Sequence, residues 1–140
     1  MRYPISAYTK TGGIVFFARM LDKMRMLLKD ELTQDYVVKM QVNNCYNSRC
    51  LQFLGVSYND VLDKVAEGRT DQEILNWCFE TGHRPNEEEI FVWNQFMIKK
   101  GWRDEESEQL ANYKVSSGIA DRDDIVTFFD YYDMDEGRRT

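Results

Sequence analysis

The chain has 140 residues, 43% of them apolar and 30% charged, with a net charge of −6 at neutral pH. That length suits a single apolar core, and the acidic balance argues against nucleic acid, whose phosphates need a concentrated basic surface. No apolar run approaches the roughly 20 residues that span a bilayer, so no membrane segment is expected. The first residues lack the apolar block of a signal peptide. Three cysteines, an odd number, fit a reducing compartment better than a disulfide framework. A cytoplasmic protein is expected.

In chain order, residues 1–11 read as an extended lead-in, with Pro4 biasing Tyr3 away from helix. Gly12 and Gly13 then read as a turn that opens a helix over about residues 13–32. At 100° per residue, Ile14, Phe17, Leu21, Met24 and Leu28 form one apolar stripe and Phe16, Met20 and Leu27 another. Arg19, Asp22, Lys23, Lys29 and Asp30 fall on a charged strip between them. More than half of the circumference is apolar, so this helix is expected at the centre of the fold.

Residues 33–47 read as a loop: residues 36–40 are strand-like, but Asn43, Asn44 and Asn47 favour turns. A short helical piece over 48–54 is stopped by Gly55. Ser57 is placed to cap a helix whose apolar residues Tyr58, Val61, Leu62, Val65 and Ala66 repeat at helical spacing. Thr70 and Glu73 form a capping box for the next helix, which Gly82 ends. Asn86 caps a third, a core helix carrying Ile90, Phe91, Trp93, Phe96, Met97 and Ile98, with Glu87, Glu88 and Glu89 at its start and Lys99 and Lys100 at its end. Residues 104–115 read as a weakly anchored surface helix. Asp121 caps a last one, and residues 133–140 form an acidic tail. The pattern predicts an all-α, single-domain bundle, residues 1–140, of about six helices around the central one.

Several runs together resemble a known family. They are Gly12-Gly13 with Arg19-Met20-Leu21-Asp22-Lys23, Phe53-Leu54-Gly55-Val56, Glu73-Ile74-Leu75 with Trp77-Cys78-Phe79, Trp93-Asn94 with Phe96-Met97 and Gly101-Trp102, Asp121 to Ile125, and Asp135 to Arg138. The chain resembles a bacterial family of small helical proteins known as a domain of unknown function, the one numbered five thousand and sixty-nine. The resemblance covers nearly the whole chain and implies no reaction, cofactor or catalytic residue.

The charged strip allows more than one arrangement. As a solvent face, its i,i+3 and i,i+4 pairs contribute roughly 0.2–0.5 kcal/mol each. As a cleft wall, Arg19, Asp22 and Lys23, joined by aromatics such as Trp77 and Trp93, form a candidate ligand-binding set for an anion. In the third and preferred arrangement, Asp121 to Asp124 pack against Arg19 or Lys23 and no ligand is needed.

The weak alternative of a zinc site would use Cys45, Cys50, Cys78 and His83, at spacings looser than a typical knuckle. Cys78, between Trp77 and Phe79, fits a small buried hydrophobe as well. A thiol–imidazole pair of Cys45 or Cys50 with His83 has no local signature. The carboxylates around Asp121 and Asp130 lack calcium-loop spacing. No catalytic residue, metal or cofactor is therefore expected. The functional expectation is a helical binding or interaction protein without catalytic activity, docking a protein partner or a second copy of itself. The alternative is a small enzyme or anionic-ligand-binding protein that uses the charged strip.

Overall fold

Two consecutive glycines in the left-handed region, Gly12 at φ 56° and Gly13 at φ 80°, set how the chain enters its core. The computed structural model describes residues 2–36 and 46–140. In it the glycines turn a hairpin instead of opening a helix. β1 (Lys10–Thr11) pairs antiparallel with β2 (Ile14–Val15), with Lys10 opposite Val15 and Thr11 opposite Ile14. Positive φ at both central residues matches the twist of a two-residue hairpin turn, and the β-branched Ile14 and Val15 suit the strand. The central helix therefore starts later than the sequence predicts.

That helix, α1, spans Phe17–Leu28. It stops before residue 32 because Asp30 turns left-handed at φ 55°. Asp30 N–H then bonds to Leu27 O at 3.1 Å and Glu31 N–H to Met26 O at 2.8 Å, which closes the helix end. Phe17, Met20, Leu21 and Met24 are fully buried, so α1 lies at the centre of the core as its wide apolar arc requires.

Helix α2 spans Tyr46–Leu54, α3 Tyr58–Ala66, α4 Asp71–Thr81, α5 Glu87–Lys99, α6 Ser107–Ser116 and α7 Phe128–Asp135. Residues 34–36 are also helical. The strand-like residues 37–40, with Asn43 and Asn44, lie outside the described residues. The class is all-α, with the two-residue strands as its only sheet among the described residues.

The caps follow the sequence. Ser57 accepts from Asp60 N–H at 3.2 Å. Thr70 and Asn86 each close a capping box, with Glu73 and Glu89. The last helix differs: Thr127, not Asp121, caps it by accepting from Asp130 N–H at 3.2 Å. Residues 121–124 are spent in a turn, where Arg122 forks onto Asp124 at 2.8 and 2.7 Å. Residues 133–135 belong to α7, and Glu136 behind them is buried, so the acidic C-terminal stretch is partly core.

Three hydrogen bonds fix α5. Asn94 Nδ2–H donates to Gly13 O at 2.8 Å, and Asn94 Oδ1 accepts from Val15 N–H at 3.1 Å. Trp93 Nε1–H donates to Val15 O at 3.1 Å. Side chains of α5 thus satisfy backbone groups that a two-stranded hairpin leaves open. At the other end, His83 N–H bonds to Leu54 O at 2.8 Å, and a Cβ on Gly82 would sit 2.2 Å from that same oxygen. This close approach ties the end of α2 to the end of α4, just before α5 begins. It leaves α2 and α5 side by side.

Candidate functional site

The charged strip of α1 points largely inward. Arg19 is 2% exposed and Lys23 8% exposed. Arg19 forks onto Glu136, with Nη1 to Oε1 at 2.8 Å and Nη2 to Oε2 at 2.6 Å, and also reaches Ile5 O at 3.2 Å. Its guanidinium lies 4.9 Å from the centre of the Tyr132 ring. The partner is Glu136, not the Asp121–Asp124 group.

Tyr36 Oη–H and Arg138 Nη1–H complete the carboxylate at 2.7 and 2.6 Å, and Arg138 also holds Pro4 O. Burial alone would raise the Glu136 carboxyl. Hydrogen bonds and charge from Arg19, with help from Tyr36 and Arg138, offset this and hold it below its ordinary value of 4.5. Asp22 is also occupied: it accepts from Arg2 at 2.7 Å and from Ile5 N–H at 2.8 Å. Lys23 Nζ sits 5.0 Å over the Phe16 ring. The strip thus joins α1 to both chain ends.

The aromatic members of the candidate set lie apart from it. Trp77 is on α4 beneath Lys64 Nζ, at 5.4 Å, and Trp93 is on α5. Cys45 lies outside the described residues. Cys50 and Cys78 are buried free thiols, and His83 is half-exposed and bonded to Glu89 at 2.7 Å. Burial pushes both thiols up, Cys78 to about 12, so they pack as protonated hydrophobes at neutral pH. No group of three metal-ligating side chains occurs among the described residues.

A groove of about 660 Å³ opens between α2 and α5. Arg49, Gln52 and Phe53 line it from α2, and Glu88, Val92, Trp93 and Phe96 from α5. The Phe53 and Trp93 rings stack at its base, 4.5 Å apart and 6° from parallel. The Arg49 guanidinium lies 5.0 Å from the centre of the Phe96 ring. Its Nε is buried without a hydrogen-bond partner, and among the described residues no carboxylate pairs with it. The same ring meets Lys100 Nζ at 5.3 Å, but that ammonium is already paired, with Glu105 at 2.8 Å.

Val92 and Phe96, which line the groove, are 55% and 40% exposed, and Phe91 on the same helix is 59% exposed. α5 is therefore a core helix on one side only. The described lining residues carry no hydroxyl, thiol or imidazole.

Of these lining residues the sequence reading singles out only Trp93, and groups it with the α1 strip rather than with Arg49, Phe53, Val92 and Phe96. One signal was present. Ile90, Phe91, Val92, Trp93, Phe96, Met97 and Ile98 cover too much of α5 for one buried face. Glu136 had no comparable local signal.

The molecule is thus a helical protein with a buried ionic centre and an open aromatic groove. Residues 1–138 match the family described as Domain of unknown function (DUF5069), and the chain belongs to that family. No curated protein matches it. No helix among the described residues is long and apolar enough to cross a membrane.

Proposed function

We propose that the protein is a cytoplasmic, bacterial, non-catalytic binding module of one domain, which docks a protein partner through the groove between α2 and α5. The observation that carries this reading is the unpaired surface there. Val92 and Phe96 are large, apolar and about half exposed, beside stacked aromatics and a guanidinium whose buried Nε has no partner among the described residues. Aromatic residues and arginine are the side chains that interfaces favour at their centres. The strip of α1 supports the same reading by contrast, since Arg19 already holds a carboxylate of its own chain.

The test is selection of peptides from a random display library against the intact protein, with Val92→Glu as the comparison. Val92 is exposed, so the variant is expected to fold. Binders carrying an apolar anchor, weakened about tenfold or more by Val92→Glu, are expected. No enrichment, or binders indifferent to Val92→Glu, would overturn the reading.

A further inference from the structure

The groove borders a helix whose outer face is self-complementary. α5 begins with Glu87, Glu88 and Glu89, ends with Lys99, and presents Phe91, Val92 and Phe96 between them. Glu89 is used within the chain, by the Asn86 cap and His83. Glu88 makes no ion pair among the described residues. At the opposite end, Lys99 is exposed and, among the described residues, bonded only to Gln95, at 2.7 Å, and Arg49 sits over Phe96. At 100° per residue, Glu88, Val92, Gln95 and Lys99 lie on one stripe, with Phe91 and Phe96 on either side of it. Acid and base are about 16 Å apart along the helix.

Resting on the reading of this groove as a docking surface, we infer that its occupant is a second copy of the same chain, with the two α5 helices antiparallel about a two-fold axis. Charge decides the direction. A parallel pair would set Glu88 against Glu88 and Lys99 against Lys99. The antiparallel pair sets Glu88 of each copy against Lys99 and Arg49 of the other, at both ends at once. The middle of the stripe then buries Val92, with Phe91 and Phe96 flanking it. Two-fold contacts of this kind use one patch twice, and they require that patch to complement itself. The arrangement also supplies the carboxylates that Arg49 and Lys99 lack among the described residues.

Sedimentation velocity over a micromolar concentration series tests this with three samples: wild type, Glu88→Lys and Lys99→Glu. Both side chains are solvent-facing, so both variants are expected to keep the wild-type circular dichroism. The wild type is expected to show a monomer–dimer equilibrium. Each variant alone sets like charges together at both ends and is expected to dimerise about tenfold or more weakly. An equimolar mixture restores opposite charges at both ends and is expected to recover the dimer. A wild type that stays monomeric throughout, or a mixture no more dimeric than its components, overturns the inference. Peptide selection at the groove would still succeed in that case if the docking reading itself is right.

Discussion

Arg19 and Arg49 are both guanidiniums set against an aromatic ring, yet they meet opposite fates. Arg19 lies beneath both chain ends and is satisfied by Glu136, Ile5 O and the Tyr132 ring. Arg49 lies on the wall of an open groove over Phe96, with a buried Nε that has no partner among the described residues. A buried charge that is fully paired carries structure, and removing one partner strands the other. A charge left unpaired beside exposed aromatics is available to something outside the chain. The difference separates an ionic centre that holds the fold from an open groove whose guanidinium meets no carboxylate among the described residues.

The largest effects are expected in the ionic centre. Glu136→Ala leaves Arg19 charged and buried, and should lower the unfolding free energy by about 3–5 kcal/mol in urea titrations. A loss of under about 1 kcal/mol would mean that water reaches the pair and that the contrast with Arg49 is false.

Next comes the seam that aligns α2 with α4. Gly82→Ala places a Cβ against the backbone oxygens of Leu54 and Gly55, 2.2 and 2.6 Å away, where no flexible side chain can yield. A loss of about 1–3 kcal/mol by thermal unfolding is expected, with weaker peptide binding as the groove wall shifts.

Acid should weaken the ionic centre. The folded Glu136 carboxyl is held below its ordinary 4.5. The unfolded state therefore takes up the proton first, and the contribution is complete above about pH 4.5 and lost as pH falls through the folded value. Urea midpoints measured downward in pH should fall in the wild type and less steeply in Glu136→Gln. Equal slopes would remove Glu136 from the account.

The smallest stability effect is expected at the groove. Val92→Glu should change stability by under about 0.5 kcal/mol, because the side chain is already exposed. It should nevertheless weaken selected-peptide binding about tenfold or more.

What was legible in the sequence is local. Ser57, Thr70 with Glu73, and Asn86 act over three residues, and each cap forms where its spacing places it. The central position of α1 was legible too, because an apolar arc that wide has to be covered. The hairpin was not, since a glycine pair before Ile14 suits a helix start as well as a two-residue turn. Pairing of Lys10 with Val15 then decides. Nor was the Arg19 partner, because Glu136 is 117 residues away and only tertiary packing selects it over Asp121 to Asp124. The groove was hidden for a related reason. Which apolar residues of α5 stay uncovered depends on where α2 comes to rest.

The most direct test of the division is equilibrium urea denaturation of Arg19→Met and Val92→Glu in parallel, with selected-peptide affinity read on the same samples. Arg19→Met is expected to lose about 2–4 kcal/mol of stability, because Glu136 loses its forked partner and keeps only Tyr36 and Arg138, while the folded fraction still binds peptide. Val92→Glu should keep its stability and bind about tenfold or more weakly. An Arg19→Met protein as stable as the wild type but unable to bind would contradict the account and move the site to α1.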